Sequence, residues 1–177
     1  MAELRAYAVA AVEVRALAGA DPEERGRLRE LARRTWAAPR PRTRDLLGPM
    51  HRRVPGAPVI AADDPTPADL ETLLAGSAVP PERGAATWRL VEALVAALAR
   101  SSTRVTDARV PPGLLVPTGL PVPAVAGLVV GSCSPVRAAA LTALHPWLGG
   151  FDGPEGWLAT AARAGRPVPD VLVVAQG

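Results

Sequence analysis

The chain predicts an α+β fold: a single domain with a small sheet of three to five strands and helices packed mainly on one face. Three observations carry that expectation. Only a few short runs have strand character, among them Glu3–Val9 and Val171–Val174. Between them lie long stretches whose apolar residues recur at helical spacing. The alternation is too irregular, and the apolar strands too few, for a doubly wound parallel sheet. At 177 residues and 49% apolar content, the chain suffices for one core and is short for two.

The opening ELRAYAV, Glu3–Val9, alternates as a half-buried strand, and Ala10–Ala18 then suits a helix stopped by Gly19. So alanine-rich a stretch also fits one continuous helix. The next element is sharper. Asp21 stands at an N-cap, Pro22 at the first helical position and Glu24 at the third, a capping-box spacing. Leu28, Leu31, Ala32, Thr35 and Trp36 then fall on one helical face. From about 37 to 58 the pattern dissolves into Arg, Pro and Gly, which predicts a loop, with a short strand at Pro58–Ala61.

Thr66, Pro67 and Asp69 cap a further helix with Leu70, Leu73 and Leu74 facing inward and Gly76 ending it. Pro80 and Pro81 introduce the longest helix, to about Arg100, with Trp88, Val91, Leu94, Val95 and Leu98 as its buried stripe. A Pro-rich connection at about 110–125 leads to a buried strand at Gly127–Val130. The turn Gly131–Pro135 and a helix from Pro135 to about Leu144 follow. Gly156–Ala164 predicts a last short helix and Val171–Val174 a final strand. Six prolines between Val110 and Val136 argue against reading that uncharged stretch as a membrane span.

Three stretches, AYAVAAVEVRALAG, VPGAPVIAADDPTPADLETLLAG followed by PPERGAATWRLVEALVAALA, and AGRPVPDVLVVAQG, resemble small uncharacterised proteins of actinobacteria. Together they cover more than half the chain. In those relatives the opening strand carries an acidic Asp-Leu-Asp step, which Ala10-Ala11-Val12-Glu13 replaces here. The resemblance implies a strand over residues 3–9. It implies no activity, cofactor or catalytic residue.

Every basic residue other than the two histidines is arginine, since lysine is absent, as is asparagine. A very GC-rich genome imposes such usage through its codons. The sequence pI of 10.3 therefore overstates a formal charge of only +3, because almost nothing titrates between the carboxylates and the arginines. One cysteine excludes an internal disulfide and a CxxC metal site. The N-terminus has no leader pattern, so the expected location is cytoplasmic.

Strand, G-x-C-x-P, helix around Cys133 is close to a nucleophile elbow, with His145 and Asp152 downstream as base and orienter. Pro135 stands where the elbow has its second glycine, and the acid follows the histidine. Ser134 as an N-cap, Pro135 in the first turn and Cys133 as a small apolar filler explain the same residues. Asp63 and Asp64 suit turn chemistry before Thr66 better than a Mg²⁺ site, and no cofactor or metal motif accompanies them.

The arginines remain. Ten lie between residues 25 and 53, against Glu30 and Asp45. On the helix, Glu23 with Arg27 and Glu30 with Arg34 are i,i+4 pairs. Arg25, Arg29 and Arg33 have no acid on their own stripe, and Arg40, Arg42 and Arg44 extend the charge into the loop. These six are the candidate binding residues. They point to a non-enzymatic binding or regulatory protein whose partner is an acidic protein or a second copy. Nucleic-acid or phosphate binding is the alternative; no aromatic platform is interleaved with the arginines, so the contact expected there is non-specific. A Cys133-dependent hydrolase or transferase is the other.

Overall fold

Glu3–Val9 forms β1, the strand on which the sheet is built in the computed structural model, which describes residues 2–19, 22–37, 64–118, 120, 125–151 and 156–177. β1 is followed by α1 (Ala11–Gly19), α2 (Pro22–Ala37), α3 (Pro67–Leu74) and α4 (Gly84–Leu98). Then come β2 (Ser101–Thr106), β3 (Val129–Cys133), α5 (Pro135–Ala138), α6 (His145–Leu148), α7 (Trp157–Arg163) and β4 (Val171–Gln176). The N-cap at Asp21, the side chains of Thr35 and Trp36, residues 38–58 of the expected loop, the strand at Pro58–Ala61 and Asp63 lie outside the described residues.

The four strands pair antiparallel in the order β2-β1-β4-β3. Because successive side chains alternate, the two central strands bury apolar groups on both faces. Tyr7 and Val9 of β1 join Val173 and Ala175 of β4 in a core with α1 to α4. Leu4, Ala6 and Ala8 join Leu172 and Val174 in a second core with Leu141, Leu144 and Trp157. Most helical residues therefore lie on one face, as expected for α+β, while short helices and loops close the other.

Local chemistry explains several boundaries. Thr66 Oγ1 accepts from the Asp69 amide, and an Asp69 carboxylate oxygen accepts from the Thr66 amide at 2.7 Å, a complete capping box at α3. Gly76, at φ +65°, ends that helix in the conformation glycine tolerates best. The expected stripe of α4 is buried throughout. Its start is refined: Pro81–Arg83 is a single 3₁₀ turn, and α2, at 16 residues, is one residue longer than α4.

Three expectations are corrected. β2 (SSTRVT) carries one apolar residue, so periodicity does not reveal it; it is an edge strand held by the β1 ladder. The strand expected at Gly127–Val130 begins at Val129 instead, because Gly127 at φ +79° belongs to the turn before it. It runs on through Gly131 and Ser132 to Cys133, which were expected in a turn. Gly131 is there for close approach: a Cβ on it would lie 2.5 Å from Leu115 Cβ. The helix expected from Pro135 to about Leu144 breaks after Ala138. Leu141 takes φ −89° and ψ 84°, and one 3₁₀ turn follows over Thr142–Leu144. With that break Ala138, Leu141 and Leu144 all lie in the second core. Among the described residues no helix is long and apolar enough to cross a membrane.

Candidate functional site

α2 presents Leu28 and Ala32 to the core and its arginines to solvent. The structure pairs those arginines more completely than helical spacing implies. Arg29, expected to lack an acid on its stripe, makes a fork to Glu71 of α3, with both Nε and Nη2 donating at 2.7 Å. Arg33 donates through Nε and Nη2 to the two oxygens of Glu30, each at 2.9 Å. Arg34 Nε donates to the same carboxylate at 2.8 Å. Arg25 lies close enough to Glu71 to act on its charge. The stripe without acids is thus corrected, because α3 supplies Glu71 across the helix pair and Glu30 reaches i+3 as well as i+4.

Arg27 pairs with Glu24 at 3.4 Å, not with Glu23, and its other nitrogen lies 3.9 Å from Glu13. The hydrogen bonds from Arg33 and then Arg34 hold the Glu30 carboxyl down to about 2. The fork from Arg29 likewise lowers Glu71. The Arg33 and Arg34 side chains remain 77% and 75% exposed. The α2 face is therefore a lattice of solvated ion pairs in which two guanidinium groups share one carboxylate. Such pairs exchange partners at little cost, because water screens them. Arg40, Arg42 and Arg44 lie outside the described residues.

Cys133 is not presented by a turn. It is the last residue of β3, buried in the second core, and burial pushes its thiol up from the ordinary value. A nucleophilic cysteine needs the opposite shift. Ser134 Oγ accepts from the Arg137 amide at 3.2 Å and Pro135 opens α5, as capping chemistry predicts. His145 is exposed at the start of α6, and Asp152 lies outside the described residues. No hydrogen bond links Cys133 to His145 among the described residues. Asp64 serves structure: its carbonyl accepts from Arg83 at 2.8 Å, and its carboxylate lies 3.8 Å from Arg89. No group of three potential metal ligands occurs among the described residues.

Two polar constellations escape sequence reasoning. Glu13 of α1 is buried against Arg100, with Oε2 to Nη2 at 3.2 Å, while Arg166 and Arg27 approach to 3.7 and 3.9 Å. Arg100 also donates to the carbonyls of Leu98 and Pro167, so it ties α1, the end of α4 and the segment before β4 together. Near the other end of β1, Glu92 of α4 accepts from Tyr7 Oη at 2.6 Å and from Arg5 Nη1 at 2.9 Å. Burial, then the Glu92 hydrogen bond, raises the Tyr7 phenol. These groups adjoin an open cleft of 270 Å³ lined by Arg5, Trp88, Arg89, Glu92 and Leu128. The side chains hydrogen-bonded to Glu13 and Glu92 lie 85 to 87 positions from them, beyond any local spacing rule. The one available signal is a carboxylate, Glu92, beside the apolar stripe of α4.

Comparisons with protein-family models, curated proteins and solved structures find no match to the chain.

Proposed function

We propose that the protein acts by binding an acidic protein partner through the exposed arginine face of α2, with no chemistry of its own. The observation that carries this reading is the sharing of Glu30 by Arg33 and Arg34. One carboxylate serves two solvated guanidinium groups, so an incoming carboxylate gains a forked hydrogen-bond partner without exposing a buried charge. In the sequence α2 is followed by Arg40, Arg42, Arg44, Arg52 and Arg53, against Asp45 and Asp63 as the acids of residues 38–63. The buried, upshifted thiol of Cys133 supports a binding role over the hydrolase alternative.

The test compares the natural chain with a double variant, Arg33→Glu with Arg34→Glu, in a pull-down with and without nuclease. Partners that survive nuclease and are lost with the variant support the reading. Recovery that vanishes on nuclease treatment transfers the site to nucleic acid, with a salt dependence set by released counterions. Equal recovery by both chains overturns it.

A further inference from the structure

The two edges of the sheet are finished differently. On the outer side of β3, Val116 and Ser132 exchange both backbone hydrogen bonds, at 2.9 and 2.8 Å, so a bridge closes that edge at Ser132. Nothing pairs with the outer side of β2 among the described residues. The ladder phase tells which of its groups are open. The Asp107 amide donates to the Ala2 carbonyl at 2.9 Å, one step beyond the Glu3–Thr106 register pair. In an antiparallel ladder hydrogen-bonded pairs alternate, so Ser101, Thr103 and Val105 bond to β1. The backbone N–H and C=O groups of Ser102, Arg104 and Thr106 therefore point away from the sheet. No hydrogen bond engages them among the described residues.

We propose that the outer edge of β2 is a docking site for an extended acidic segment of another protein, which adds as an antiparallel strand and sets a carboxylate opposite Arg104. Three features define that occupant. Among the described residues the edge offers six unpaired backbone groups over a run free of proline and glycine, which suits strand addition. Arg104 is 73% exposed and its nearest acid, Glu3, stands 3.8 Å away, also 3.6 Å from Arg5. A residue directly opposite on an added strand shares the face of Arg104, and opposite charges there stabilise the pair. The flanking residues of the segment would face the other way, beside half-buried Thr103 and Val105, where β-branched side chains fit.

A second copy of this chain is the wrong occupant. Outward-bonding residues must meet outward-bonding residues, and the full-length register then sets Ser102 against Thr106 and Arg104 against Arg104. Like charges directly opposite destabilise a pair, and a lone charge is one way natural edges avoid pairing with themselves. The same arginine thus opposes self-association and favours a carboxylate. The edge carries none of the α2 arginines, and the proposal does not depend on them.

The experiment uses the ¹⁵N-labelled chain and two capped seven-residue peptides of valine and threonine, one with a central glutamate and one with a central lysine. The expected result is that the glutamate peptide saturably shifts the amide signals of Ser102, Arg104 and Thr106 and slows their hydrogen exchange. It should bind about threefold to fivefold tighter than the lysine peptide. Arg104→Glu should reverse that preference. Ser102→Pro should weaken both peptides, since it removes an outward N–H while sparing the β1 ladder. If that variant fails to fold, Arg104→Glu still decides. Slow exchange of the three amides before peptide is added would show the edge already occupied and would overturn the proposal. So would equal affinity for the two peptides, or shifts confined to α2.

Discussion

Two glutamates of this protein each have more than one arginine close by, one on the surface and the other buried. Glu30 receives Arg33 and Arg34 on the open face of α2. Glu13 receives Arg100, with Arg166 and Arg27 near, where its own side chain is 6% exposed and that of Arg100 is 4%. Water screens the first group and solvates any member left alone, so its pairs are free to rearrange around a partner. The second group has no such reserve. A charge stranded there keeps its full desolvation penalty, so the pair is obligatory once buried. Similar side chains make a replaceable surface in one place and a structural clasp in the other.

The comparison breaks most easily at the clasp. Arg100→Ala leaves Glu13 buried without its nearest counter-charge, and a loss of about 3–5 kcal/mol is expected in urea unfolding. A loss under about 1 kcal/mol would place the clasp in the same class as the surface pairs. Replacing both partners, Glu13→Gln with Arg100→Met, should restore a large part of that stability, because no uncompensated charge remains.

A buried acid whose arginine is less buried sharpens the gradient: Arg83 is 27% exposed, against 4% for Arg100. Asp69 is buried, and its carboxyl is held down to about 2 by Arg83, at 2.6 and 3.0 Å, then by Thr66. A depressed acid contributes stability that is complete above its ordinary value of 3.8 and disappears as pH falls toward about 2. The expected loss across that window is about 2 kcal/mol, and Asp69→Asn should remove the pH dependence it causes. A variant whose acid unfolding curve matches that of the natural chain would contradict the assignment.

The smallest effect is expected at Glu30→Gln. Its carboxyl is also held near 2, so the sign is the same, with stability lost as pH falls from 4.5 toward about 2. Solvent screening makes that contribution small, and high salt should erase it in a thermal melt. A clear destabilisation that survives high salt would mean that this surface holds the fold together rather than standing ready for a partner.

Legibility in the sequence follows the range of the interaction. Thr66 as a cap, Ser134 as a cap, Gly76 as a stop and the apolar stripe of α4 were all readable, because each depends on residues within a few positions. β2 was not: Ser101–Thr106 becomes a strand only because β1 offers it a ladder. The break at Leu141 was hidden for a related reason, since helical spacing continues through it while packing on the sheet does not allow the helix to. At the candidate site, the arginine run and the Glu30–Arg34 pair were visible on one helix. The Arg29–Glu71 fork was not, because α2 and α3 had to meet first.

The sequence by itself determined the α+β class, the final strand, the caps at Thr66 and Ser134 and the concentration of arginine between residues 25 and 53. These are properties of composition and of short-range hydrogen bonding, which a chain carries before it folds. Only the tertiary structure decided which arginines are neutralised, which glutamate is buried and which sheet edge is left open among the described residues. Those outcomes depend on distance through space and on access of water, and residues 87 positions apart acquire both only when the two cores close around the sheet.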